Sequence, residues 1–132
     1  MGYRSTFVTE DIYYELPEWF IEKYQDQINF SEKKLEGYDK LTFPLSSKYE
    51  RKFYSGAEDE LFVDLAKMLQ QVTESYPRDI TIALMHEDGE IDRVIITPEK
   101  VTIQRSLENT GGYNPQLGSG NDEFIVNKEP TT

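Results

Sequence analysis

The chain has 132 residues, a net charge of −11, 37% apolar and 13% aromatic residues, and no cysteine. That length suits one domain with one core, and the missing cysteine excludes disulfide staples, zinc–thiolate centres and cysteine nucleophiles. The charge argues against nucleic acid or an acidic membrane surface as a direct ligand, and no apolar run approaches the roughly 20 residues needed to cross a bilayer.

Residues 3–9, Tyr3 to Thr9, are rich in β-branched and aromatic types and predict an opening strand. Pro17 suits a first helical turn, and the apolar set Trp19, Phe20, Tyr24 and Ile28 predicts a helix over 17–28. Between 29 and 54, Gly37, Pro44 and two serines break any period, so one or two strands are expected, over about 40–45 and 48–54. A second helix is predicted over 57–73. Ser55 and Glu58 read as its capping box, and Leu61, Phe62, Leu65, Met68, Leu69 and Val72 recur at helical spacing.

Residues 79–106 predict a three-stranded meander, with Asp88-Gly89 as a hairpin signal. A three-residue loop there gathers Ile80, Ile82, Leu84, Val94 and Ile96 on one face, but the spacing leaves a two-residue loop open as well. Beyond Ser106 the composition turns to Asn, Gly, Pro and Ser, so 1–106 is read as a single domain and 107–132 as a flexible tail. Its apolar island Phe124-Ile125-Val126 can add an edge strand or dock on a partner. The expected fold is α+β: a two-layer sandwich in which two helices pack on one face of an antiparallel sheet of about four to six strands, ending in the meander. With no apolar signal core following Met1, a cytoplasmic location is expected.

His86 is the single histidine and stands among Glu87, Glu90 and Asp92, types able to form a metal or acid–base site. A polar hairpin tip needs such residues anyway, the spacing matches no calcium loop, and the sequence places no nucleophile beside the ring. No cofactor or metal is therefore expected, and no catalytic residue. Tyr49, Arg51, Lys52, Phe53 and Tyr54 interleave aromatic and basic side chains, a pattern shared by base-stacking surfaces and ordinary half-buried strands.

Charge is unevenly spread. Residues 1–32 carry −5 and residues 57–99 carry −8, while 33–52 carry +3. On the first helix Glu15, Glu18, Glu22 and Asp26 follow steps of three and four, which lines up carboxylates about 5–6 Å apart, comparable with phosphates along a nucleic-acid strand. With Glu10 and Asp11, and with Glu58, Asp59, Glu60 and Asp64 of the second helix, this row is the candidate partner-binding surface.

The opening Met1-Gly2-Tyr3-Arg4-Ser5, followed by a strand, an acidic helix and an aromatic strand before a second helix, resembles small proteins encoded by phages and prophages. The resemblance implies an accessory protein that helps a phage manage its host, a class that includes inhibitors of host defence nucleases such as anti-CRISPR proteins. The expected function is thus binding to a basic host protein and inhibition of its nucleic-acid groove by polyanion mimicry. The alternatives are a self-assembling protein that pairs through its meander edge or tail, and a metal-dependent enzyme around His86.

Overall fold

The structure, a computed structural model, describes residues 4–10, 12, 16–33, 41–53, 56–71, 79–105 and 121–127. Strand β1 (Arg4–Thr9) alternates buried Ser5, Phe7 and Thr9 with exposed Arg4 and Val8, the mark of a sheet covered on one side. Helix α1 (Glu18–Tyr24) buries Phe20 and Tyr24, four residues apart, against that face.

The helix is shorter than the predicted span of 17–28. After Tyr24 the chain turns, and Ile28 opens strand β2 (Ile28–Lys33), which pairs with β3 (Leu41–Ser47). Ile28 is buried in either conformation, so its spacing from Phe20 and Tyr24 could not distinguish helix from strand.

The predicted strand over 48–54 is reduced to β4 (Arg51–Lys52). Both β3 and β4 lie on the same edge of β1, through Val8↔Ser46, Ser5↔Arg51 and Arg4↔Lys52. Three steps along β1 are matched by five along its partner, so β3 and β4 form one strand interrupted by a two-residue bulge.

A 3-10 turn over Gly56–Glu58, with Gly56 at a φ of 59°, precedes helix α2 (Glu60–Gln70). The turn displaces the predicted cap. Instead of a capping box from Ser55, which lies outside the described residues, the Asp59 carboxylate accepts from the Leu61 N–H at 3.0 Å. Replacing Asp59 by Ala is expected to cost about 1–2 kcal/mol, read by urea unfolding, because the cap and the Arg51 ion pair are lost together.

The meander comprises β5 (Ile80–His86), β6 (Ile91–Ile96) and β7 (Lys100–Gln104). Its first loop has three residues, Glu87, Asp88 and Gly89, closed by the His86 N–H on the Glu90 carbonyl at 2.8 Å. Gly89 takes a φ of 93°, a conformation glycine adopts without steric penalty. The register is Ile80↔Ile96, Ile82↔Val94 and Leu84↔Asp92, which gathers the five aliphatic residues on the core face and brings Asp92 in with them.

Strand β8 (Asn121–Ile125) pairs with β7 through Val101↔Phe124 and lies at one edge of the sheet. The order is β2-β3-β1-β5-β6-β7-β8 with β4 beside β1, all neighbours antiparallel. The eight strands exceed the four to six expected because Ile28–Lys33 and Asn121–Ile125 both join the sheet. Phe20 and Tyr24 of α1, and Leu61, Phe62, Leu65, Met68 and Leu69 of α2, pack into one core with Phe7, Ile82, Val94 and Ile103. Among the described residues no helix is long and apolar enough to cross a membrane.

Candidate functional site

The two helices run in opposite directions. Near the start of α1, Trp19 Nε1 donates to Gln71 Oε1 just past the end of α2 at 3.0 Å, and near its end Lys23 Nζ reaches Glu60 and Asp64 of α2 at 2.7 and 2.8 Å. Glu18 and Glu22 are exposed one turn apart on α1. Asp26 is also exposed, but it lies in the turn beyond the helix, so the predicted helical row stops at Glu22. Glu10, Glu58 and Glu60 are exposed, while Asp11 and Glu15 lie outside the described residues. Among the described residues Glu18, Glu22, Asp26 and Glu58 take part in no ion pair, and Glu60 is held by Lys23.

Two of the acids assigned to this surface are not part of it. Asp59 is buried as the α2 cap and pairs with Arg51. Asp64 is buried between the helices, where it accepts from the Tyr24 hydroxyl at 2.6 Å. Its position was readable in principle, because three residues after Leu61 and four before Met68 it falls on the apolar side of α2. Burial, followed by the bond to Asp64, pushes the Tyr24 hydroxyl far above its ordinary range, and the bonds to Asp64 and Glu60 raise the Lys23 ammonium.

The aromatic–basic strand is likewise occupied internally. The Arg51 guanidinium sits 4.1 Å from the centre of the Phe53 ring, which stacks on Phe62 with centroids 5.2 Å apart and planes 4° from parallel. Tyr49 is exposed, and Tyr54 lies outside the described residues.

A second cluster joins His86 and Asp92, which the sequence suggests together, with Ser5 and Arg105, which it does not. In β5 the residues Ile80, Ile82 and Leu84 face the core, and the same alternation turns His86 inward instead of leaving it at a solvated tip. Its side chain is 6% exposed. Nε2 bonds Asp92 Oδ2 at 2.7 Å, and Nδ1 bonds the Ser5 hydroxyl. Asp92 Oδ2 also lies 3.5 Å from Arg105 Nη1, and Arg105 continues to Asp122 on β8.

A cavity of about 70 Å³ adjoins this chain of groups, lined by Ser5, His86 and Arg105 with Phe53, Leu84 and Ile103. Serine, imidazole and carboxylate are the groups of a hydrolytic triad, but a nucleophile must reach a substrate carbonyl, and Ser5 is 2% exposed between two paired strands. The cluster ties β1, β5 and β6 together through buried side chains and reaches β8 through the partly exposed pair of Arg105 and Asp122. Of the three acids weighed as partners of His86, Asp92 bonds its ring, while Glu87 Oε1 accepts from the Arg4 backbone at 3.2 Å. Among the described residues no three of His, Cys, Asp or Glu converge as a metal site.

Neither family models nor curated proteins nor solved structures give a match to this chain.

Proposed function

We propose that the protein works by binding another protein: its acidic helical layer engages a basic, nucleic-acid-handling surface of a host component and blocks it, as a phage-type anti-defence inhibitor does. The observation that carries this reading is the set of exposed carboxylates Glu18, Glu22, Asp26 and Glu58, which have no cation partner among the described residues in a chain of net charge −11. Charges left uncompensated on a surface speed encounter with an opposite field and favour a positive partner over a negative one.

The test is capture of host proteins on the immobilised chain, followed by titration of the captured partner. Affinity is expected to fall steeply between low and physiological salt, and duplex DNA or RNA is expected to compete for the partner. The triple variant Glu18→Lys, Glu22→Lys, Asp26→Lys is expected to weaken binding about 10- to 100-fold, since each rim charge contributes roughly 0.5–1 kcal/mol. Unchanged affinity in that variant, or a partner indifferent to nucleic acid, removes the proposal.

A further inference from the structure

The face of the sheet turned away from the helices runs against the charge of the rest of the molecule. On β1, β4, β5, β6, β7 and β8 its charged residues are Arg4, Lys52, Arg93 and Lys100 against Glu123, in a chain of net charge −11. The middle of this face is apolar. Ala83 and Met85 of β5 and Ile91 and Ile95 of β6 alternate there with the core set, and Val8 pairs with Ala83. Val8 and Met85 are each 36% exposed, so the field is open to contact.

Arg93 stands at the centre of it. Its cross-strand neighbours are Ala83 and Gln104, and Ile91 and Ile95 flank it along β6. An acid at either cross-strand position would stabilise the sheet, and neither position holds one. Arg93 is exposed and takes part in no ion pair among the described residues. An arginine ringed by apolar side chains has the make-up of a binding hot spot, where the ring excludes water and the guanidinium takes a carboxylate through two parallel bonds.

The other cations extend the pattern. Arg4, opposite Lys52, precedes Val8 by four residues, and Val8 connects through Ala83 to Arg93; Lys100 precedes Gln104, the other neighbour of Arg93, by four residues. At 3.4 Å per residue and 4.8 Å per strand, Arg93 lies about 15 Å from each, on a diagonal that passes over Met85 on one side and Ile95 on the other. Acids stand at the margins: Glu123 bridges Lys100 at 3.6 Å, Glu87 accepts from the Arg4 backbone, and Glu10 follows β1 beside Thr81.

We propose that this face docks an acidic segment of a partner protein, with one carboxylate bound by Arg93 and apolar side chains of the segment laid over Met85, Ile91 and Ile95. Charge complementarity selects an anionic occupant, and spacing selects its class. Extended peptide covers about 15 Å in four to five residues, so it can place acids on the cations and apolar side chains between them. A nucleic-acid strand carries a phosphate at every nucleotide, about 3.4 Å of rise apart, and would set most of them against methionine and isoleucine. On the described strand residues this face also offers no aromatic ring to stack a base. A lipid surface calls for apolar groups that reach about 5–10 Å into it, whereas Val8 and Met85 are mostly covered by the sheet.

The test is selection of random displayed peptides of about 15 residues on the immobilised full chain, with counter-selection on Arg93→Glu to discard peptides held elsewhere, basic ones on the helical acids above all. The surviving peptides are expected to carry Glu or Asp about four or five residues apart among Leu, Ile and Val. A synthetic lead peptide is expected to bind with a Kd of about 1–100 µM by fluorescence anisotropy, and more weakly as salt rises. Arg93→Gln and Met85→Asp, neither used in the selection, are each expected to weaken it about 10-fold, and Arg93→Lys less, because lysine keeps the charge without the paired bonds. Arg93 and Met85 are exposed, and unchanged circular dichroism is expected to show that these variants fold. The Glu18, Glu22 and Asp26 reversals are expected to leave the lead peptide's affinity unchanged, and Arg93→Gln to leave capture of a basic partner unchanged, so this inference and the proposed function fail separately.

Three results overturn the proposal: no peptide surviving counter-selection, survivors without acidic enrichment, or a lead peptide that binds Arg93→Gln as tightly as the wild type. Phosphatidylserine vesicles or a single-stranded DNA of about 15 nucleotides binding more tightly than the lead peptide, with that binding lost in Arg93→Gln, also overturns it by assigning the face to a phosphate polyanion.

Discussion

Replacing Asp92 by Ala is expected to lower the free energy of unfolding by about 3–5 kcal/mol, the range for removing one partner of a buried ionic network. The residue is 3% exposed, and its Oδ2 serves both His86 Nε2 and Arg105. Without it the buried imidazole loses its carboxylate partner beside Leu84 and Ile103, Arg105 is left with Asp122 alone, and the Ser5 hydroxyl loses the ring orientation that holds it. Urea unfolding is the measurement, and with m near 1–3 kcal/mol per molar the midpoint should drop by more than about 1 M. Glu99→Ala, at an exposed position with no ion pair among the described residues, should move it by less than about 0.5 kcal/mol. If Asp92→Ala behaves like that control, the cluster does not hold the strands together.

Asp64→Ala is expected to cost about 3 kcal/mol and to change how stability depends on pH. Asp64 joins the helices by accepting from Tyr24 and Lys23, and its removal strands a buried hydroxyl. Both donors hold their protons more tightly in the folded chain, so the stabilisation is complete below the ordinary tyrosine and lysine values of 10.0 and 10.5 and is lost as pH rises above them. The wild-type midpoint in urea should therefore fall between pH 9.5 and 11. In Asp64→Ala the fall should be shallower, because burial of Tyr24 remains while the bond to the carboxylate is gone. The same variant separates structure from recognition: if it weakens partner binding as strongly as the Glu18, Glu22 and Asp26 reversals while leaving stability unchanged, Asp64 belongs to the surface after all.

The elements that were legible in the sequence are those with one strong local cause. The apolar spacing of Leu61, Leu65, Met68 and Leu69 specified α2, and the turn residues Asp88 and Gly89 specified the hairpin. The aliphatic set of the meander was visible too, although its register needed a three-residue loop that spacing alone left open. Elsewhere two causes competed. Ile28 extends a helical period and begins a strand, and pairing with Ser47 decided for the strand. Ser55 with Glu58 matches a capping box, yet a 3-10 turn at Gly56 passes the cap to Asp59.

The sites were harder to see because their partners are distant in sequence. Ser5 meets His86 across 81 positions, and Tyr24 meets Asp64 across 40. Local spacing carries no information on such pairs. It therefore assigned Asp59 and Asp64 to solvent by their charge, and His86 to a turn by its neighbours.

The strand order has a consequence for biosynthesis. β1 leaves the ribosome first but lies in the middle of the sheet, and Phe7 pairs with Leu84, synthesised 77 residues later. At about 5–20 residues per second β1 waits several seconds before the strand that pairs with Phe7 emerges. Such long-range closure slows folding as well, so truncated products ending before β5 should be recognised by chaperones or degraded rather than accumulate as a folded half.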